Sequence, residues 1–124
     1  MKPWKTYTNT FPVGNTLGEV AIRIFCEPSQ LSLEDLGYPI KGNLQLHVQQ
    51  DSGSLMIADI IVEAEYCGFK GSECIGGVFI YEPKDVETAV VEHDLEEQAR
   101  LALGAELYAK FQILSKVWAP KGGA

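Results

Sequence analysis

Two side chains whose types could support acid–base chemistry, His47 and Asp59, are predicted to lie near each other on the outward face of a sheet. An imidazole can accept a proton near neutral pH, and a carboxylate can orient its ring. Antiparallel strands, however, commonly carry mixed polar residues on a solvated face. We therefore interpret the pair as surface residues and expect no catalytic residue, with a small enzyme or ligand-binding site as the alternative.

Two further groups have chemistry-bearing side chains. His93, Asp94 and Glu97 lie near the start of a predicted helix, where Asp94 as N-cap and Glu97 three residues later form a capping-box pattern. A zinc site needs three or four converging ligands, so we expect a helix cap and no metal. Cys67 and Cys74 are predicted to lie opposite each other, as reduced thiols or, alternatively, as a disulfide or redox pair.

Cofactor signatures are absent from the sequence, which has no nucleophile elbow, phosphate-binding glycine loop or dinucleotide fingerprint. We therefore expect no cofactor. Gly76-Gly77 falls inside a predicted strand and indicates a bulge or a close backbone approach. Gly104 falls inside a predicted helix, where we expect close helix packing to require it.

The elements that would position these residues follow from hydrophobic periodicity. Apolar and polar residues alternate in four segments, which predicts strands over 19–26, 43–50, 55–67 and 74–82. In the last of them the pattern assigns Phe79 and Tyr81 to the core, and Val78 and Ile80 to the outward face.

One long amphipathic helix is predicted over Asp94–Trp118. Its stripe consists of Leu103, Leu107, Phe111, Leu114 and Trp118, widened by Leu101 and Tyr108. Residues 83–93 fit either a strand or a helix. Residues 1–17 could be an irregular arm or an edge strand, and residues 119–124 are expected to fray.

Composition limits the function classes. The 124 residues fit one domain, and the net charge of −7 disfavours nucleic-acid binding. No apolar segment follows the first five residues or is long enough to span a bilayer, so we expect neither export nor membrane association. Three cysteines without zinc-type spacing fit a reducing compartment. The sequence therefore predicts a cytoplasmic protein.

A single helix can cover only one face of the sheet. The predicted outward face carries an apolar strip of Ile57, Ile61, Val78 and Ile80 among carboxylates. Apolar strips of this kind usually indicate an interface, and closed homo-oligomers are the commonest use of one. We predict that this strip, with Tyr81, binds a second copy of the chain or another polypeptide.

The order of four strands and a long helix over residues 43–118 resembles that of the SecB-type export chaperones. Gly76-Gly77-Val78-Phe79 is similar to a stretch of that family's last strand, and Leu103-Gly104-Ala105 with Leu107-Tyr108 is similar to segments of its helix. Ala109 stands where that family carries proline, and a second C-terminal helix is hard to find in residues 119–124. The resemblance implies tetramers that bind unfolded polypeptides along apolar grooves without nucleotide or metal.

The sequence thus predicts an α+β domain, residues 1–124, in which an antiparallel sheet of four or more strands carries one long C-terminal helix on one face. The leading functional hypothesis is a non-catalytic, homo-oligomeric module that holds a polypeptide. The alternative is a small-molecule-binding protein or small enzyme, with a pocket around His47 and Asp59 or between sheet and helix. The second pocket would be lined by Tyr66, Tyr81, Tyr108 and Trp118.

Overall fold

The computed structural model of the protein describes residues 2–13 and 16–118. These residues form four strands and three helices. The elements are β1 (Lys5–Val13), β2 (Thr16–Pro28), α1 (Leu44–Ser52), β3 (Met56–Tyr66), β4 (Phe69–Ile80), α2 (Lys84–Glu92) and α3 (Leu95–Trp118).

The strands form one antiparallel sheet in the order β1-β2-β3-β4, and α3 packs against β3 and β4. The predicted fold class, an α+β arrangement with the C-terminal helix on one face of the sheet, is confirmed. We call the side covered by α2 and α3 the helix face and the opposite side the open face. Within the described ranges, none of the helices is both long and apolar enough to cross a bilayer.

The main core lies between the helix face and the two C-terminal helices. Ile22, Ile60 and Val62 of the sheet and Leu103 of α3 have no solvent exposure. Gly71 allows α3 to approach β4 closely, because a Cβ atom at this position would lie 2.0 Å from the backbone nitrogen of Leu103. The helix therefore crosses the sheet in direct backbone contact.

The N-terminal arm is an edge strand, one of its two predicted alternatives. β1 pairs only with β2 among the described elements, and its Tyr7 and Phe11 pack at the margin of the core. The Tyr7 hydroxyl donates to Glu96 at 2.9 Å, and Asn9 donates to the same carboxylate at 3.2 Å. Polar contacts thus join the edge strand to the start of α3.

The strand predicted over residues 43–50 is wrong, because this segment is the helix α1. The alternating apolar residues Leu44, Leu46 and Val48 do not form a buried face, since no residue of α1 is buried. Gly53 ends the helix in the left-handed conformation at φ 84°, with its N–H bonded to the carbonyl of Gln50. Without a sheet neighbour to bury alternate residues, helical backbone bonding decides the local structure.

The hairpin between β3 and β4 turns earlier than the sequence predicted. Cys67 and Gly68 occupy a two-residue turn, both with positive φ, as a type I′ turn requires. Cys74 consequently pairs with Ile61 and not with Cys67. Cys67 lies six positions beyond Ile61 along the chain, about 20 Å when extended, which is too far for a disulfide within this molecule.

A β-bulge at Gly76-Gly77 is confirmed, and it reverses the predicted side-chain directions beyond it. Ala58 pairs with Val78 and Ile60 with Ile75, so two glycines of β4 lie opposite the single residue Asp59. The extra residue sends Val78 and Ile80 to the helix face. The predicted outward position of Val78 and Ile80, and the predicted core position of Phe79 and Tyr81, are therefore wrong.

Residues 83–93, left open by the sequence, form mainly the helix α2. Asp94 separates α2 from α3 with φ 51°, and its carbonyl accepts the first α3 bond from Gln98 at 2.9 Å.

Leu101 and Tyr108 of α3, predicted to widen the apolar stripe, are both exposed. Gly104 meets open space, so close packing does not explain it. The side chains of Phe111, Leu114 and Trp118, and residues 119–124, lie outside the described part.

Candidate binding surface

The five residues predicted to bind a partner do not share one surface. Ile57 is buried on the open face, beneath the molecule's own connection between β2 and β3 (residues 29–55). Ile80 is 8% exposed and Val78 partly buried, both in the main core. Ile61 is half-buried on the open face between Phe25 and Cys74. Tyr81 is 51% exposed, beyond the end of β4.

The connection covers one end of the open face with a small second apolar cluster. Leu33 and Leu55 are 1% and 2% exposed, and the Tyr38 and Phe79 rings lie 5.5 Å apart. The bulge makes room for this cover, because a Cβ atom on Gly77 would come within 2.8 Å of Leu36. Sequence reasoning missed this covering segment because it assigned part of it to the sheet.

At the same end of the sheet, an apolar depression opens between the start of β1, the end of β4 and α2. We call it the sheet-end groove; its volume is about 330 Å³. Two exposed aromatic side chains contribute to it, Trp4 with 38% and Tyr81 with 51% exposure. Its lining comprises Trp4, Cys26, Gly53, Ser54, Met56, Ile80, Tyr81, Glu82, Pro83 and Val86.

The backbone around this groove is held by specific hydrogen bonds. The Asp85 carboxylate accepts the N–H groups of Tyr81 and Glu82 at 2.8 and 3.0 Å, which fixes the turn from β4 into α2. The Tyr81 hydroxyl donates to Gln49 of α1 at 3.3 Å. The N–H of Trp4 donates to the Ile24 carbonyl at 2.7 Å. Both aromatic residues therefore extend from anchored backbone.

A second depression, of about 370 Å³, lies on the open face beside the bulge. Glu27 and Asp59 are direct cross-strand partners in it, and an Asp59 oxygen accepts the Gly77 N–H at 3.3 Å. Cys74 also lines this cleft. Burial, and then the negative charge of Asp59 and Glu27, raise the pKa of its thiol. The cleft thus disfavours the reactive thiolate.

The predicted acid–base pair is not assembled as a catalytic site. His47 lies on α1, where its Nε2 atom is 2.7 Å from the Tyr38 carbonyl oxygen and so carries the ring proton as donor. Asp59 lies on β3 in the acidic cleft, and His47 is not among the residues that line this cleft.

The other titratable clusters also have ordinary roles. His93 and Asp94 lie exposed at the junction of α2 and α3, and Glu97 pairs with Arg100 at 2.5 Å. Among the residues that the structure describes, no group of three or more His, Cys, Asp or Glu side chains is placed to hold a metal ion.

The uncovered part of the open face carries a charge network. Arg23 donates through Nη1 to Glu63 and through Nη2 to Glu65, both at 3.0 Å. Lys70 lies 3.7 Å from Glu65. The hydrogen bond from Arg23 holds the pKa of Glu65 below its usual value. Each of these four charged side chains has an opposite charge within 4.0 Å on the same sheet.

Comparisons with protein family models, curated proteins and solved structures found no match. The resemblance to SecB-type chaperones therefore stays a prediction.

Proposed function

We propose that this protein is a non-catalytic, homo-oligomeric binding module that holds a polypeptide segment in the sheet-end groove. The observation that carries the proposal is the pair of half-exposed aromatic residues, Trp4 and Tyr81, beside an apolar floor that includes Met56 and Val86. Aromatic side chains that remain accessible beside an apolar depression are the usual anchors of protein recognition.

The chemistry of the groove favours an apolar segment with basic neighbours. Its floor offers aliphatic and sulfur-containing side chains, and Met adapts its shape to different apolar partners. Glu82 is the charged residue of the lining, and the whole chain carries a net charge of −7. A polypeptide with large apolar residues and flanking Lys or Arg would meet a complementary potential.

The arrangement of titratable groups supports a non-catalytic role. His47 bonds to a backbone carbonyl on the connection, while Asp59 bonds to the bulge. General acid–base catalysis requires both groups within reach of one substrate. We place the protein in the cytoplasm, because Cys26, Cys67 and Cys74 are free thiols and fit a reducing compartment.

The first test is the affinity for a short fluorescent peptide of Leu, Phe and Lys, measured by fluorescence anisotropy. Replacing Tyr81 by Ala should weaken binding by roughly tenfold, since truncation of an interface aromatic commonly costs more than 1 kcal/mol. Trp4→Ala should have a similar effect. A peptide with Ser in place of Leu and Phe should not bind, and one with Glu in place of Lys should bind less tightly.

Tyr108→Ala is the matched control, because Tyr108 is an exposed aromatic residue of α3 outside the groove. It should leave peptide affinity unchanged. Equal binding by the wild type and the Tyr81 and Trp4 variants would overturn the proposal. Loss of ligand binding in His47→Ala or Asp59→Asn, with the fold and groove intact, would instead favour the small-molecule or enzyme hypothesis.

A further inference from the structure

Helix α1 lies on the molecular surface with an apolar stripe that the described part of the chain leaves exposed. Leu44 and Val48, four residues apart, are 64% and 56% exposed, and Ile40 in the preceding turn is 57% exposed. The opposite side of the helix carries Leu46 and Gln49, which are half-buried against the molecule. Leu44 and Val48 therefore lie on the outward side of α1, and the exposed Ile40 precedes this helix in the chain.

The charges around this stripe favour a second copy of the same chain. Lys41 precedes α1 and Asp51 lies in its last turn, so the charged residues of segment 40–52 cancel, apart from His47. The whole chain has a net charge of −7. Two copies that meet through this neutral segment avoid the repulsion that other parts of the surface would impose.

We propose that two copies of the chain associate through α1, with the two helices antiparallel about a twofold axis. In one register of the two helices, apolar residues contact apolar residues and opposite charges lie side by side. When Leu44 contacts Val48 of the second copy, Lys41 lies beside Asp51 of that copy, and the symmetry repeats both contacts. Leu44 and Val48 are not among the residues that line the sheet-end groove, so this contact specifies the homo-oligomer of the proposed function without using the groove lining.

This association is weak by its size. A helix of nine residues is about 14 Å long, and such a pair buries less than the roughly 800 Å² per partner of a stable complex. The protein should therefore exchange rapidly between monomer and dimer, with dimer accumulating only at high protein concentration.

Sedimentation equilibrium over a range of concentrations tests the proposal with the full chain. The average mass of the wild type should rise toward that of a dimer, whereas Val48→Glu should remain monomeric. Val91→Glu is the matched control, since Val91 of α2 is 74% exposed and lies outside α1. This control should associate like the wild type.

A charge exchange tests the antiparallel register. Lys41→Glu and Asp51→Lys should each weaken dimerisation by roughly threefold or more, as expected for loss of an exposed ion pair present twice in the dimer. The double variant should regain wild-type association, and circular dichroism should show the native fold in every variant. A wild type that is monomeric at all concentrations, a Val48→Glu variant that still dimerises, or a double variant without recovery would overturn the proposal.

These results are separate from the peptide-binding test. Monomeric protein that binds the Leu-Phe-Lys peptide would refute α1 association and the homo-oligomeric part of the proposed function, and would retain peptide binding in the groove. A dimer that fails to bind it would refute only the groove.

Discussion

The two faces of the sheet differ in how their apolar residues are covered. The helix face is sealed by α2 and α3 over a continuous core, with Ile60 and Leu103 fully buried. Among the described residues, the open face is covered at one end by the connection, and Leu33, Leu55 and Ile57 are all buried there. Its other part holds the Arg23 charge network.

The predicted apolar strip is therefore largely buried without a partner. The connection covers Ile57, and the bulge has moved Val78 and Ile80 to the helix face. Ile61 is the residue of the predicted strip that stays partly exposed on the open face. What remains accessible lies at the margins of the sheet, at Tyr81 and on α1.

The largest expected difference between the faces concerns neighbouring residues of β3. Ile60→Ala should destabilise the protein by roughly 4 kcal/mol, because a fully buried side chain leaves a cavity in the main core. Ile61→Ala on the open face should cost only about 1 kcal/mol, since Ile61 is already half-exposed. Urea unfolding of both variants measures the two losses in free energy of unfolding. Equal losses would contradict the unequal burial of the two faces.

The next prediction concerns the contact between β4 and α3. Gly71→Ala should destabilise the fold by about 3 kcal/mol, because the new methyl group collides with backbone atoms of Leu103 that cannot move independently. Gly104→Ala is the matched control and should stabilise the protein by roughly 1 kcal/mol, since its Cβ meets open space in a helix interior. Thermal unfolding should give shifts of opposite sign; two shifts of the same sign would contradict the close helix approach.

The smallest effect belongs to the charge network of the open face. Glu65 has a lowered folded pKa, so its contribution to stability is present above the unfolded value of about 4.3 and is lost as pH falls through the folded value. Arg23→Gln should raise the Glu65 pKa. It should also reduce the free energy of unfolding that is lost as pH falls from the unfolded to the folded pKa of Glu65. NMR titration of the carboxyl carbon measures the pKa.

Lys84→Gln is the control for that titration, since it removes the separate Lys84–Glu82 pair at 3.0 Å. It should leave the Glu65 pKa unchanged. A Glu65 pKa that is insensitive to Arg23→Gln would show that the network does not persist in solution.

Strands were predicted correctly where a neighbouring strand supports the alternation, as in Met56–Tyr66, and so was the helix in the C-terminal half. It failed over residues 43–50, where Leu44, Leu46 and Val48 alternate like a strand but lie in a surface helix. Of the predicted partner-binding residues, only Tyr81 lies both exposed and in the groove now proposed. The bulge reversed the predicted direction of Val78 and Ile80, while Ile57 kept its predicted direction but is buried.

By itself, the sequence determined the α+β class and the long C-terminal helix, and it limited Gly76-Gly77 to a bulge or a close backbone approach, because these follow from local periodicity and from the conformational freedom of glycine. Only the tertiary structure decided which residues remain exposed. Exposure depends on contacts between distant segments, such as Tyr38 over Phe79 and Leu103 over Gly71, and on the exact register in which β3 and β4 pair. Local sequence patterns carry no information on those distances, whereas a one-residue shift in pairing exchanges the core and the surface.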